Sequence, residues 1–170
     1  NQTWHLAAVK FAALLISEQR AGAAVPLLEG VLAQAPSAEG HYQLGLARHD
    51  LGLDAKSAFD AAVRLYPPHL GALTALGALE EEAGKLDRAK LAWEEVARID
   101  PTYAPAQANL GRLMARKRQY ERAEQYYLAA VNASPGYGKA VAGLGLVYRA
   151  QGRDEAALGV WQRALERRET

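Results

Sequence analysis

Apolar residues in this chain fall into helical stripes that start and stop at regular intervals. Leu70, Leu73, Leu76 and Leu79 recur at every third position, with Ala83 on the same side, which predicts one helix with a single apolar face. Gly84 follows, suited to the left-handed conformation just past a helix end. Asp87 is placed to cap a second helix, whose apolar positions are Ala89, Leu91, Trp93, Val96, Ala97 and Ile99. Asp100-Pro101 stops that helix, because the residue before a proline is driven out of the α region. The unit is a helical hairpin.

The hairpin then repeats. Leu76-Gly77, Leu110-Gly111 and Leu144-Gly145 recur at a period of 34, as do Ala89, Ala123 and Ala157. Trp93, Tyr127 and Trp161 form a third column at that spacing, and Pro67, Pro101 and Pro135 a fourth. Four columns in fixed register mark a repeat array, in which each unit buries its apolar face only by stacking on a neighbour. Glycine inside a helix costs roughly 1 kcal/mol relative to alanine, so its recurrence implies a compensating close approach. The alanine column supplies the small residues expected opposite the glycines, and the aromatics are expected to fill the space between hairpins.

Leu-Gly, a small residue, an aromatic and a proline at a period of 34 resemble the tetratricopeptide repeat. The match is best in the last unit, through Leu144-Gly145, Tyr148, Gly152, Ala157, Trp161 and Ala164. It extends upstream through His41, Leu44-Gly45, Gly52, Ala55, Phe59, Ala62 and Pro67 once two residues are taken as missing from the turn after Gly52. Residues 1–35 read as a degenerate first repeat without the Leu-Gly pair, with Pro26 tolerable in the first turn of its second helix. The resemblance implies an all-α, right-handed α-α superhelix of about five hairpins. The repeats are a single array: 1–35, a shortened 36–67, and regular 68–101, 102–135 and 136–168. Where the family's tyrosine column would run, the chain has Arg48, Glu80, Met114 and Tyr148. Arg48 and Glu80 there either pair or reach solvent separately.

Composition fits helices packed through small side chains: half of the 170 residues are hydrophobic, yet only 2 are Phe. The formal net charge of +1 gives no indication of nucleic acid. No cysteine is present, which excludes disulfides and thiolate metal sites. The longest apolar stretch, Leu6 to Ile16, is interrupted by Lys10 and too short to span a bilayer, so it reads as the first helix. The chain starts at Asn1 rather than Met, which leaves room for a removed targeting segment. The cytoplasm is favoured, with the periplasm as the alternative.

Candidate chemistry is sparse. His5, His41, His49 and His69 include no pair at the four-residue spacing that aligns metal ligands on a helix, and no phosphate loop or nucleophile–base set occurs. No enzyme activity and no cofactor are expected. The resemblance implies instead a groove lined by the first helix of each hairpin, in which a segment of a protein partner lies. By register the groove residues are Tyr42, Gln43 and His49 in the second repeat. Asn109, Arg112 and Arg116 follow in the fourth, and Lys139 and Arg149 in the fifth. Asn109 matches the family's backbone-clamping asparagine, and Gln43 holds the equivalent place. Lys139 matches one cation of the family's carboxylate clamp, but Thr74, Ala78 and Gly143 depart from the rest of it, which argues against chaperone-tail binding.

Charge sharpens the expectation. Residues 1–100 hold 9 Lys and Arg against 13 Asp and Glu, whereas residues 101–170 hold 11 against 6, so a net −4 precedes a net +5. Glu80, Glu81 and Glu82 form an acidic patch, and Arg112, Arg116, Lys139 and Arg149 a basic stretch. The partner segment is therefore expected to be acidic and its binding salt-sensitive, against the alternative of ordinary solvated charge. Leu158 and Leu165 are expected to leave apolar surface at the last hairpin, which makes self-association the second reading. A regulatory module of a larger enzyme or secretion component is the third.

Overall fold

Ten helices follow one another in the computed structural model, which describes residues 2–166. They are α1 Gln2–Ser17, α2 Ala21–Gln34, α3 Ala38–Asp50, α4 Lys56–Leu65, α5 Leu70–Glu82, α6 Leu86–Ile99, α7 Ala104–Arg116, α8 Tyr120–Ala133, α9 Gly138–Ala150 and α10 Asp154–Glu166. No strand occurs among the described residues, and the expected end of the last repeat at residue 168 lies outside them. The chain forms two compact units, residues 1–79 and 80–170, with the division inside α5. In the first, α1 packs on α2 and α3, α2 on α3, and α3 on α4. In the second, α6 packs on α7, α7 on α8 and α9, α8 on α9, and α9 on α10.

The helices stop where the sequence says they should. Ala35, Tyr66, Asp100 and Ser134 each precede a proline and leave the helix with ψ between 84° and 99°. Every hairpin turn contains one residue at positive φ: Gln19, Gly52, Gly84, Arg118 and Gly152. Three are glycine. Gln19 and Arg118 adopt the same conformation without glycine's freedom, because the turn geometry is set by the helices on either side.

Two local expectations are corrected. Asp87 is not a cap: α6 starts at Leu86, its N-cap position is Lys85, and Asp87 lies in the first turn, where a carboxylate favours the helix dipole. Pro26 lies beyond the first turn of α2, which begins well before it at Ala21. Its missing N–H therefore removes one bond from the helix interior. Side-chain caps are found at Ser37, whose Oγ accepts from Gly40 N at 3.1 Å and opens α3, and at His69, whose Nδ1 accepts from Ala72 N at 3.1 Å at the start of α5.

The glycine column is corrected in a more informative way. What faces these glycines is the aromatic column. A Cβ on Gly45 would meet the Phe59 ring and one on Gly145 the Trp161 ring, while one on Gly111 would lie 3.0 Å from Tyr127. Ala89, Ala123 and Ala157 are fully buried but are not the nearest neighbours. The interval from Gly45 to Phe59 is shorter than that from Gly111 to Tyr127, so the contact survives the shortened turn of the second repeat. The first hairpin solves the same problem with a different pair. Ala12 takes the glycine position and Leu28 the aromatic one, both fully buried in one core cluster. A larger residue on α1 is matched by a smaller one on α2.

Tyr127 also reaches the next hairpin, where Gly143 of α9 meets the Cζ and Oη end of its ring. The ring is thus wedged between Gly111 and Gly143. In the first unit Tyr42 of α3 stands against Gly71 of α5, 2.8 Å from the position of a Cβ there.

One face breaks the pattern. Phe11 and Leu14 of α1 are 54% and 52% exposed. Their register equivalents in the second, fourth and fifth repeats are all buried: Leu44, Leu110 and Leu144 for the first, Ala47, Leu113 and Val147 for the second. At the other end Leu158 and Leu165 are exposed, as the sequence suggests.

Gly143→Ala should destabilise the protein by about 1–3 kcal/mol, because the new methyl group overpacks against a ring held on its other side. Chemical denaturation checks this, and adding Tyr127→Leu should recover part of the loss.

Candidate functional site

The second unit exposes a polar stripe on each of its two inner-register helices. In α9, Lys139, Ala142, Leu146 and Arg149 are exposed at successive turns of the helix. Ala140, Val141, Gly143, Leu144, Gly145, Val147 and Tyr148 of that helix are buried, so this stripe is its solvent face. In α7, Asn109, Arg112 and Arg116 follow one another at the same helical spacing, with both arginines exposed and Asn109 half-buried. The two stripes belong to helices that pack on each other. Gln107 of α7 is buried instead, and its Nε2 donates to Pro101 O at 2.9 Å, closing the loop before the helix.

Glu81, in the last turn of α5, changes the electrostatics. Its Oε1 accepts from Nη1 of Arg112 and Nη1 of Arg116, each at 2.6 Å. Its Oε2 accepts from Nη2 of Arg112, completing a bidentate pair. The Arg112 guanidinium also lies 5.8 Å from the centroid of the buried Trp93 ring. Burial pushes the Glu81 carboxyl upward, but the hydrogen bonds and charges of Arg112 and Arg116 outweigh it and hold the group below its ordinary range. The acidic patch and the basic stretch read from sequence are therefore partly joined: one of three glutamates neutralises part of the arginine pair. Asn109, Lys139 and Arg149 form no hydrogen bond or ion pair among the described residues.

The first-unit residues are more occupied. Tyr42 packs against Phe59 and His69 with its ring tilted by 43° and 47°, the ring centroids 6.0 and 4.9 Å away. Gln43 Nε2 donates to Glu39 Oε1 at 2.6 Å, one turn back on its own helix. His49 is exposed, with Nδ1 3.9 Å from Asp50. Arg48, the arginine of the tyrosine column, reaches Glu29 of the preceding hairpin at 2.9 Å. Its Nη1 also donates to Asp54 O and Ser57 Oγ. His41 is half-buried, and that burial together with the nearby Arg64 and Arg48 charges lowers its pKa, which suits a neutral packing histidine.

The sequence profile of the tetratricopeptide repeat matches residues 10–69, 53–104, 74–138 and 108–170, covering most of the chain. The chain belongs to the tetratricopeptide-repeat family. Solved structures agree in fold. TTC0263, a thermophilic tetratricopeptide-repeat protein of Thermus thermophilus, is 26% identical, with a TM-score of 0.78 over 95% of this chain and 90% of that one. MamA from Desulfovibrio magneticus is 22% identical, with a TM-score of 0.67 over 95% and 93%. The pilF protein of Pseudomonas aeruginosa is 14% identical, with a TM-score of 0.78 over 95% and 75%. No curated protein matches by sequence. These likenesses assign the all-α tetratricopeptide solenoid class, a fold that typically serves as a non-catalytic scaffold for protein partners.

A cavity of about 320 Å³ between α8, α9 and α10 is lined mainly by apolar residues, including Leu128, Val131, Leu144 and Val160. Its one charged side chain, Arg163, donates Nε to Gly159 O. Among the described residues no group of three His, Cys, Asp or Glu could hold a metal ion. No described helix is long and apolar enough to cross a membrane.

Because the folded pKa of Glu81 is depressed, its charge contributes stability fully above the ordinary value of about 4.5 and loses it as pH falls through the lowered value. Glu81→Gln should melt below the wild type at neutral pH, and the gap should close on acidification. Thermal melts across pH measure this; a gap independent of pH would place its cause elsewhere.

Proposed function

We propose that this chain is an adaptor that takes an extended, acidic segment of a partner protein along α7 and α9. The observation that carries the reading is the pair of stripes on the packed helices α7 and α9, where Asn109, Lys139 and Arg149 hold donors without partners among the described residues. An extended peptide offers backbone groups to the Asn109 amide and carboxylates to the cations. Ala142 and Leu146 lie between the charged ends of the α9 stripe and give the segment an apolar footing. Gln43, Tyr42 and His49 contribute less in this reading, because the first two are already engaged within the first unit. In a capture experiment, Asn109→Ala with Lys139→Ala should weaken retention of the partner by about tenfold or more, on the order expected for lost charge-assisted hydrogen bonds. The wild-type interaction should weaken as salt is raised. Equal capture by wild type and variant, or indifference to salt, would defeat the reading.

A second reading rests on α1. Gly40, which lies in the column of Ala7, abuts Leu32 and Val9 of the preceding hairpin. That side of a first helix is therefore the one that stacks on a neighbouring hairpin. On α1 it is uncovered at Phe11 and Leu14. We infer that this face takes the apolar side of a second copy's last hairpin, where Leu158 and Leu165 are exposed. Such a contact is heterologous and can extend beyond a dimer. Sedimentation should show mass rising with concentration in the wild type and a monomer in Phe11→Glu. A wild type that stays monomeric at high concentration would remove this reading.

A further inference from the structure

Arg112 and Arg116 stand one turn apart on α7, where two guanidinium groups repel unless a counter-charge lies between them. Glu81 supplies it from α5. The carboxylate is nearly enclosed, its side chain 9% exposed, whereas the two arginine side chains are 44% and 54% exposed. The cluster therefore keeps one net positive charge on its solvent side. Three N–H groups are used on Glu81, two from Arg112 and one from Arg116. Each guanidinium carries five, so Nε and Nη2 of Arg116 are left over. Trp93 beneath Arg112 constrains the same assembly from the protein side. Long side chains ordinarily lose affinity because binding must order them, and ordering them beforehand removes that cost.

We propose that Glu81 is a positioning residue for the partner surface, holding Arg112 and Arg116 side by side so that the free edge of Arg116 receives a carboxylate of the bound segment. This rests on the adaptor reading above and adds to it a direction that simple attraction does not share. Glu81→Gln makes the surface more positive by one charge, so attraction alone strengthens binding of an acidic peptide. Lost positioning weakens it.

The test uses the full chain and a fluorescein-labelled hexaglutamate peptide at low salt, followed by anisotropy. The expected result is wild-type binding, a roughly three- to tenfold loss in Glu81→Gln, and an intermediate value in Glu81→Asp, which keeps the charge on a shorter stem. Binding by the wild type with equal or tighter binding by Glu81→Gln overturns the positioning role and leaves the adaptor reading standing. No binding by the wild type overturns both. Nitrogen-15 relaxation of the arginine Nε–H groups in the wild type needs no variant to fold. Restricted motion of Arg112 and Arg116, compared with Arg149, supports the clip, and equal mobility of all three overturns it.

Discussion

An aromatic ring lying on a helical glycine is the contact on which the stacking of this chain depends. Without a Cβ at Gly111, the backbone of α7 comes within contact distance of Tyr127, and Gly143 admits the far end of the same ring from the following hairpin. One side chain thus joins three helices, α7, α8 and α9. The favourable term is the burial of a large ring, and the opposing term is the helix propensity lost at each glycine, about 1 kcal/mol per position. Burial wins because the ring contacts both neighbours at once. In the first hairpin the equivalent positions hold Ala12 and Leu28, both fully buried in one cluster, a larger residue on the first helix with a smaller one on the second.

Charge is placed around that apolar frame so that it ties consecutive hairpins together. Arg48 reaches back to Glu29, Arg112 and Arg116 to Glu81, and Arg153 to Glu124 at 2.9 Å, with the Arg153 guanidinium 4.2 Å from the Tyr148 ring. Pairs this exposed are individually worth little in stability. Glu81 differs because its carboxylate is enclosed and its partners are two. Its contacts join two solvent-facing cations of α7 through one carboxylate of α5.

The fold is legible in the sequence because its determinants are local. Helix stops before Pro36, Pro67, Pro101 and Pro135 and the glycine turns at Gly52, Gly84 and Gly152 each act over a short stretch of chain. The first repeat reads as degenerate only because the Leu-Gly pair is absent. Ala24, Leu28 and Pro36 precede Ala55, Phe59 and Pro67 by one constant interval, which reveals the missing columns. The site is legible as a set of exposed positions but not as a circuit. Register places Arg112, Arg116 and Glu81 on first helices, yet whether side chains of that length meet depends on the separation of those helices. Register alone also sets alanine opposite glycine, because small residues are expected to pair. The aromatic column lies on the second helix of each hairpin, where it reaches the glycines only once the hairpin has closed.

The packing rule and the binding surface are not independent. Gln43, Asn109 and Gly143 occupy one column, the one that the adaptor reading assigns to a bound backbone. At α9 that position is claimed by the Tyr127 ring, which leaves no room for any side chain beyond hydrogen. The stacking contact therefore removes a polar residue from the second stripe, and with it the arginine that a complete carboxylate clamp would need at Gly143. Gln43 keeps its amide but turns it to Glu39. Of these three, Asn109 alone retains an amide without a partner among the described residues. The proposed partner surface therefore falls where the stacking contact leaves space, beside the arginine pair that Glu81 holds.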